Sequence, residues 1–195
     1  MTSSRESSTR ADRREEILAV AAQLFARDGF HGVSIDELGS AVGISGPALY
    51  RYFPGKESIL SAMLVDISER LLAGGRERVD SADDPGDVLE SLVEFHVDFA
   101  LDHPDLIAVQ SRDLDAVPEA ERRSVRRLQA QYVDLWVGAL QGAHGVTPDR
   151  ARAGAHAAFG LINSTPHSAR LTRPEMAALL RSMALSALAS TPDDR

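Results

Sequence analysis

A chain of 195 residues, 44% hydrophobic and 26% charged, can bury one or two cores of ordinary domain size. It has no cysteine, which excludes a disulfide framework, thiol catalysis and a cysteine-ligated zinc site. Its net charge of −8 has the wrong sign for coating nucleic acid without regard to sequence.

The opening MTSSRESSTR lacks the apolar core of a signal peptide, and no apolar run approaches the roughly 18 residues of a membrane span. The expectation is a cytoplasmic protein with no membrane partner, whose residues 1–11 form a flexible polar tail. Asp12 to Asp28 then carries Ile17, Val20, Ala21, Leu24 and Phe25 at amphipathic helical spacing, and Gly29 ends it. Ser34-Ile35-Asp36-Glu37 reads as a capping box opening a second helix, which Gly43 stops. Ser45 caps a third, very short helix running to about Tyr52, with Pro47 in its first turn, where no useful N–H is lost.

Pro54 breaks that helix, and a fourth is expected from Lys56 to about Leu72, with Ile59, Leu60, Met63, Leu64, Ile67 and Leu71 on one side. Gly74-Gly75 and the polar run Asp80 to Gly86 separate it from Val88 to Leu101, which is apolar over more than one face. A short helix from Leu106 to Asp113 lies between Pro104 and Pro118, and a longer one spans Glu119 to about Leu140, before Gly142 and Gly145. Pro148 to Ile162 and Pro174 to Ala189 form the last two. Strand-like alternation and fixed-period repeats are both missing, so the class is all-α, with about nine helices.

The three-residue turn Gly43-Ile44-Ser45 makes the second and third helices a helix-turn-helix, whose second helix enters the major groove of duplex DNA. Leu49 and Phe53 pack inward, leaving Gly46, Pro47, Ala48, Tyr50, Arg51 and Tyr52 outside. Pro47 and Ala48 suit thymine methyl groups, Arg51 suits guanine or phosphate, and the tyrosine hydroxyls suit phosphate oxygens. Lys56, the chain's one lysine, stands at the first turn of the fourth helix as a backbone clamp. Taken singly, each has a plainer reading, the tyrosines as half-buried packing and Lys56 as a solvated charge. Their joint occurrence after a capping box and a glycine turn favours DNA binding.

The stretches Ala22 to Gly29 (AQLFARDG), Phe30 to Val33 (FHGV), Ile35 to Leu38, Gly43 to Ser45 and Ala48 to Lys56 (ALYRYFPGK) resemble the TetR family of bacterial transcriptional regulators, over about residues 12 to 60. The resemblance implies a homodimer with a helix-turn-helix DNA-binding domain at 12–58 and a variable helical domain at 59–195 that binds a ligand and dimerises. It also implies repression of a palindromic operator, relieved by a small molecule. In the family pattern Ser34, Ser45, Tyr50, Tyr52 and Lys56 fall at phosphate-contacting positions and Gly46, Pro47 and Ala48 at base-reading ones. Residues 1–58 carry a net charge of −1, so affinity is expected to lean on helix N-termini, Arg51, Lys56 and the tail arginines.

In the second part, the last two helices are rich in small and apolar residues. Ala153, Ala157, Leu161, Met176, Leu180, Met183, Ala184 and Ala187 are read as a two-fold, four-helix dimer interface. Phe95, His96, Phe99, His103, Arg112, Tyr132, Trp136 and Asn163 are candidate pocket residues for an apolar or acyl-type effector, with Arg112 or His96 holding its polar end. For each of them singly, core packing is the alternative. His96 and His103, seven apart, share no face with Asp98 or Asp102, so no metal is assigned, and no cofactor is called for. The run Arg122-Arg123 with Arg126-Arg127 reads as a solvated face or as a seat for an anionic effector. GxxxxGK[ST], GxGxxG, HExxH and GxSxG are all missing, so catalysis is not expected. A DNA-binding protein without a small-molecule effector is the other reading open at this point.

Overall fold

The structure is a computed structural model that describes residues 2–168 and 170–190, with side chains described from residue 10 onward. Among these residues every regular element is helical: α1 (Thr2–Asp28), α2 (Ile35–Ala41), α3 (Gly46–Leu49), α4 (Lys56–Asp80), α5 (Pro85–Asp102), α6 (Pro104–Asp113), a 3₁₀ turn (Leu114–Ala116), α7 (Glu119–His144), α8 (Pro148–Ile162), α9 (Thr165–Ser168) and α10 (Arg173–Ala189). The all-α class is as expected from the sequence. The stretch expected as a flexible tail is helical from Thr2, as the first part of α1.

The chain packs as two compact units. The first comprises residues up to Ile67 together with Ala108–Val125, and the second Ser68–Ile107 and the chain from Arg126 on. The first unit thus runs into α4 and takes in the end of α6 with the start of α7.

In the first unit, Ile17, Ala21 and Phe25 of α1 are fully buried, as are Leu38, Leu49, Ile59, Leu60 and Leu64, so that four helices share one core. Gly29, at φ +80°, turns the chain out of α1, and its N–H bonds the Phe25 carbonyl. The Ser34 capping box is present: the Glu37 N–H donates to Ser34 Oγ at 3.2 Å and the Ser34 N–H to Glu37 Oε2 at 2.7 Å. At Gly39 a Cβ would stand 2.9 Å from the Ile44 carbonyl oxygen and from the Gly46 nitrogen. Only a residue without a side chain lets α2 meet the start of α3 this closely.

In the second unit, α10 packs on α5 and α8. Glu94, Asp98 and Asp102 stand four apart along α5 and face arginines of α10. Arg173 pairs with Asp102 at 2.7 Å, while Arg181 pairs with Glu94 at 2.8 Å and Asp98 at 3.2 Å. Gly74-Gly75 does not end α4, which continues to Asp80 because the two glycines admit rings: Gly74 lies against Phe95, and Gly75 against Tyr132 and Leu135. Gly142 likewise stays helical against Pro85, and α7 ends only at Gly145, at φ +67°.

Candidate nucleic-acid interface and effector centre

The reading helix α3 is a single turn, extended by the turn at residues 50–52. Leu49 and Phe53 are buried, while Pro47 and Arg51 are exposed and Tyr50 keeps 55% of its surface in solvent. Ala48 and Tyr52 are half-buried. Ser34 and Ser45 are exposed, and the Ser45 hydroxyl makes no capping bond. Gly46 differs from expectation. It is buried, and a Cβ there would overlap the Asp36 carboxylate, so it serves the α2–α3 contact and not the outer face.

Lys56 also differs. Its Nζ donates to the carbonyl oxygens of Phe30 at 2.8 Å and Val33 at 2.7 Å, and lies 4.5 Å from the centre of the Phe30 ring. Two of its three N–H donors therefore hold the loop before α2, leaving one for a phosphate. Two arginines of α1 stand at the other end of the reading turn: Arg10, one of the tail arginines expected to aid affinity, and Arg14, which sequence reasoning did not single out. Arg10 donates to the Arg51 carbonyl at 2.8 Å, and Arg14 donates to the Tyr52 carbonyl with its guanidinium 4.1 Å from the Phe53 ring centre.

The second unit holds a buried polar centre. His96 on α5 is 3% exposed, and its ring nitrogens bond the Tyr132 hydroxyl and Asn163 Oδ1, each at 3.1 Å. Burial pushes the imidazole down to about 4, with the Asn163 bond opposing, and pushes the Tyr132 phenol up. A neutral ring fits both bonds: Tyr132 O–H donates to Nδ1, and Nε2–H donates to Asn163. Trp136 is fully buried beside it, and its indole N–H makes no well-formed hydrogen bond among the described residues, though it lies close enough to the Tyr132 hydroxyl to oppose part of the rise in the phenol. Phe159 of α8, not expected from sequence, packs tilted against His96 at 4.9 Å and edge-on to Trp136 at 4.8 Å between ring centres.

His96, Tyr132, Trp136 and Asn163 are thus brought together, but the other pocket candidates are not. Phe95, Phe99 and His103 form a separate strip, lined by Arg78 over Phe95 at 5.1 Å and Arg70 over Phe99 at 5.5 Å. Arg112 belongs to the first unit, where its guanidinium bonds the Phe25 and Ala26 carbonyls and the Asp113 carboxylate. An open cleft of about 360 Å³ lies elsewhere in the second unit, lined by Val79, Pro85, Val88, Leu135 and Ala139. Among the described residues no three His, Asp or Glu converge as a metal site, and no helix is long and apolar enough to cross a membrane. Arg122 and Arg123 both pair with Glu119.

Against known proteins, the family model described as "Bacterial regulatory proteins, tetR family" matches residues 17–63, and that of the "Tetracyclin repressor-like, C-terminal domain" matches residues 82–187. The chain belongs to the TetR family. It is a helix-turn-helix, DNA-binding regulator of transcription, like the transcriptional regulators it is similar to. The TetR-family chain is 28% identical over 137 residues to the HTH-type transcriptional repressor KstR2 of Rhodococcus jostii, covering 70% of this chain and 67% of that one. It superposes with a TM-score of 0.79 on a TetR-family regulator from Bordetella parapertussis, at 25% identity over 88% of this chain and 93% of the other. With the regulator FadR of Bacillus subtilis, solved in complex with stearoyl-CoA, the TM-score is 0.69 at 19% identity, over 92% and 99% of the two chains.

The last two helices of this TetR-family chain divide their small residues between two sides. Ala153 and Ala157 of α8 are exposed and Leu161 half-buried, as expected of an outward face, and on α10 Met183 and Ala187 are exposed. Met176 and Leu180, each 4% exposed, and Ala184, fully buried, face the unit's own core, so these three leave the expected interface. His156, Gly160, Leu179, Ser182 and Ser186 are exposed beside the remaining members.

Proposed function

We propose that this regulator is a homodimeric repressor that binds a palindromic operator and releases it when a small apolar or acyl-type molecule occupies the His96 centre. DNA would be met by Pro47, Ala48, Tyr50, Arg51 and Tyr52, with Ser34, Ser45 and the third donor of Lys56 on phosphates. The observation that carries the effector reading is the Trp136 indole N–H, buried among His96, Tyr132 and Phe159 with no well-formed hydrogen bond among the described residues and only the Tyr132 hydroxyl near enough to act as an acceptor. A buried donor left unpaired costs on the order of 1–3 kcal/mol, and a carbonyl oxygen entering the centre would recover it. The surrounding rings would bury the apolar body. The stearoyl-CoA complex of the fold relative supports the same ligand class.

The exposed faces of α8 and α10 would close the dimer by two-fold symmetry, setting two reading helices about 34 Å apart for successive major grooves. A ligand can then act only through a different affinity for the DNA-bound and released arrangements, a coupling of roughly 1–3 kcal/mol. The test is a thermal-shift screen of fatty acids and acyl-CoA thioesters, followed by operator binding with each hit. The expected result is stabilisation that Trp136→Phe reduces, together with weakened operator binding. A hit that stabilises the protein but leaves operator affinity unmoved would remove the effector mechanism.

A further inference from the structure

The reading turn has no conventional helix end. Its cap carries no glycine in the left-handed region, since Tyr50 stays right-handed at φ −60°. Pro54 has no N–H to offer the Tyr50 carbonyl four residues back, and the Gly55 N–H is taken by the Ser58 hydroxyl at 3.2 Å. The hydrogen-bond ladder therefore stops at Phe53, whose N–H bonds the Leu49 carbonyl at 3.1 Å. At that point the guanidiniums of Arg10 and Arg14 cap the Arg51 and Tyr52 carbonyls, and Arg14 lies against the Phe53 ring. Arg13, between them, is held by Glu16 at 2.6 Å.

We infer that Arg10 and Arg14 are positioning residues for sequence reading: from α1 they close the carboxyl end of the reading turn and so fix the direction of Tyr50, Arg51 and Tyr52 before DNA arrives. This rests on residues 47–52 being the DNA-contacting face. A one-turn helix cannot hold itself, because the first hydrogen bond must fix several residues at once. Its shape must come from outside, and a charged donor to a carbonyl is among the stronger of such contacts. Arginine suits the task because its planar fork can stack on Phe53 and bond a carbonyl together.

The probe is a duplex selected from a randomised library by the unaltered protein. Arg10→Ala and Arg14→Ala are each expected to weaken binding to it about tenfold, with the salt dependence unchanged, since no phosphate contact is lost. Arg14→Lys keeps the charge but not the fork, and is expected to recover little. Arg123→Ala, the same loss of charge on α7, is expected to bind as the unaltered chain does. Amide hydrogen exchange without DNA should quicken at Arg51, Tyr52 and Phe53 in both alanine variants, but not in α5. Unchanged affinity in the double variant, a salt slope falling by about one per arginine removed, or unchanged exchange at those three amides would each overturn the inference. Failure of the unaltered protein to select any duplex would instead count against the DNA-contacting face, and the exchange measurement would still decide the role of the arginines.

Discussion

Lys56 directs two donors at backbone carbonyls in its own unit, so its removal acts on folding before it acts on DNA. Lys56→Met keeps an unbranched side chain of similar length but removes the ammonium group from the Phe30 ring and leaves the Phe30 and Val33 carbonyls without their cation. The expected loss is about 1–3 kcal/mol of stability, read as a lower urea midpoint, with weaker DNA binding as a further consequence. His96 makes a separate prediction through pH. Its folded value of about 4 lies below the 6.5 of an exposed imidazole, so between those limits the unfolded chain takes up a proton that the folded chain refuses. The stability this contributes is complete above about pH 6.5 and is lost progressively as pH falls towards 4. At pH 5 the loss is about 2 kcal/mol relative to pH 7. Urea unfolding of His96→Gln at both pH values should show a pH difference smaller by that amount.

Helices in this chain contain glycines of two kinds, and the elements around them separate the two. Gly74→Ala would drive a methyl into the Phe95 ring, and overpacking of that kind costs about 1–3 kcal/mol, more than the alanine gains in helix propensity. Gly138, exposed in α7, has open space where a methyl would project, with nothing within 4 Å. It should behave oppositely, Gly138→Ala adding about 0.5–1 kcal/mol to stability. Thermal melts of the two variants test both signs. The same glycines mark where sequence reasoning ran out. Caps and prolines are local chemistry, so the Ser34 box and the Pro148 start were legible, and α8 was expected with its observed ends. Gly74-Gly75 read locally as a helix stop, because the rings of Phe95 and Tyr132 that hold it helical come from residues far along the chain. Arg112 was assigned to the pocket for its chemistry, but the contact that claims it, the end of α1, lies 86 residues earlier and leaves no local signature. Arg10 and Arg14 did have one, the missing N–H of Pro54 after a one-turn helix.

For the whole molecule, the two sides of α10 give a paired test of dimerisation. Met183→Glu places a charge on a side chain 47% exposed in the protomer, so the fold should survive while the proposed two-fold contact is lost. Ala184→Glu buries that charge inside the unit itself and should unfold it. Light scattering combined with circular dichroism distinguishes a folded monomer from loss of helix. Trp136 has a consequence of another kind. It is the chain's only tryptophan, and it lies in the second unit, buried among aromatic neighbours. Indole emission is therefore an optical signal from that unit alone, whereas far-ultraviolet ellipticity averages the helices of both. If the two units melt as one cooperative body, the two curves coincide; if they melt separately, the emission curve departs from the ellipticity curve, and the unaltered protein reports its own folding scheme without any attached dye.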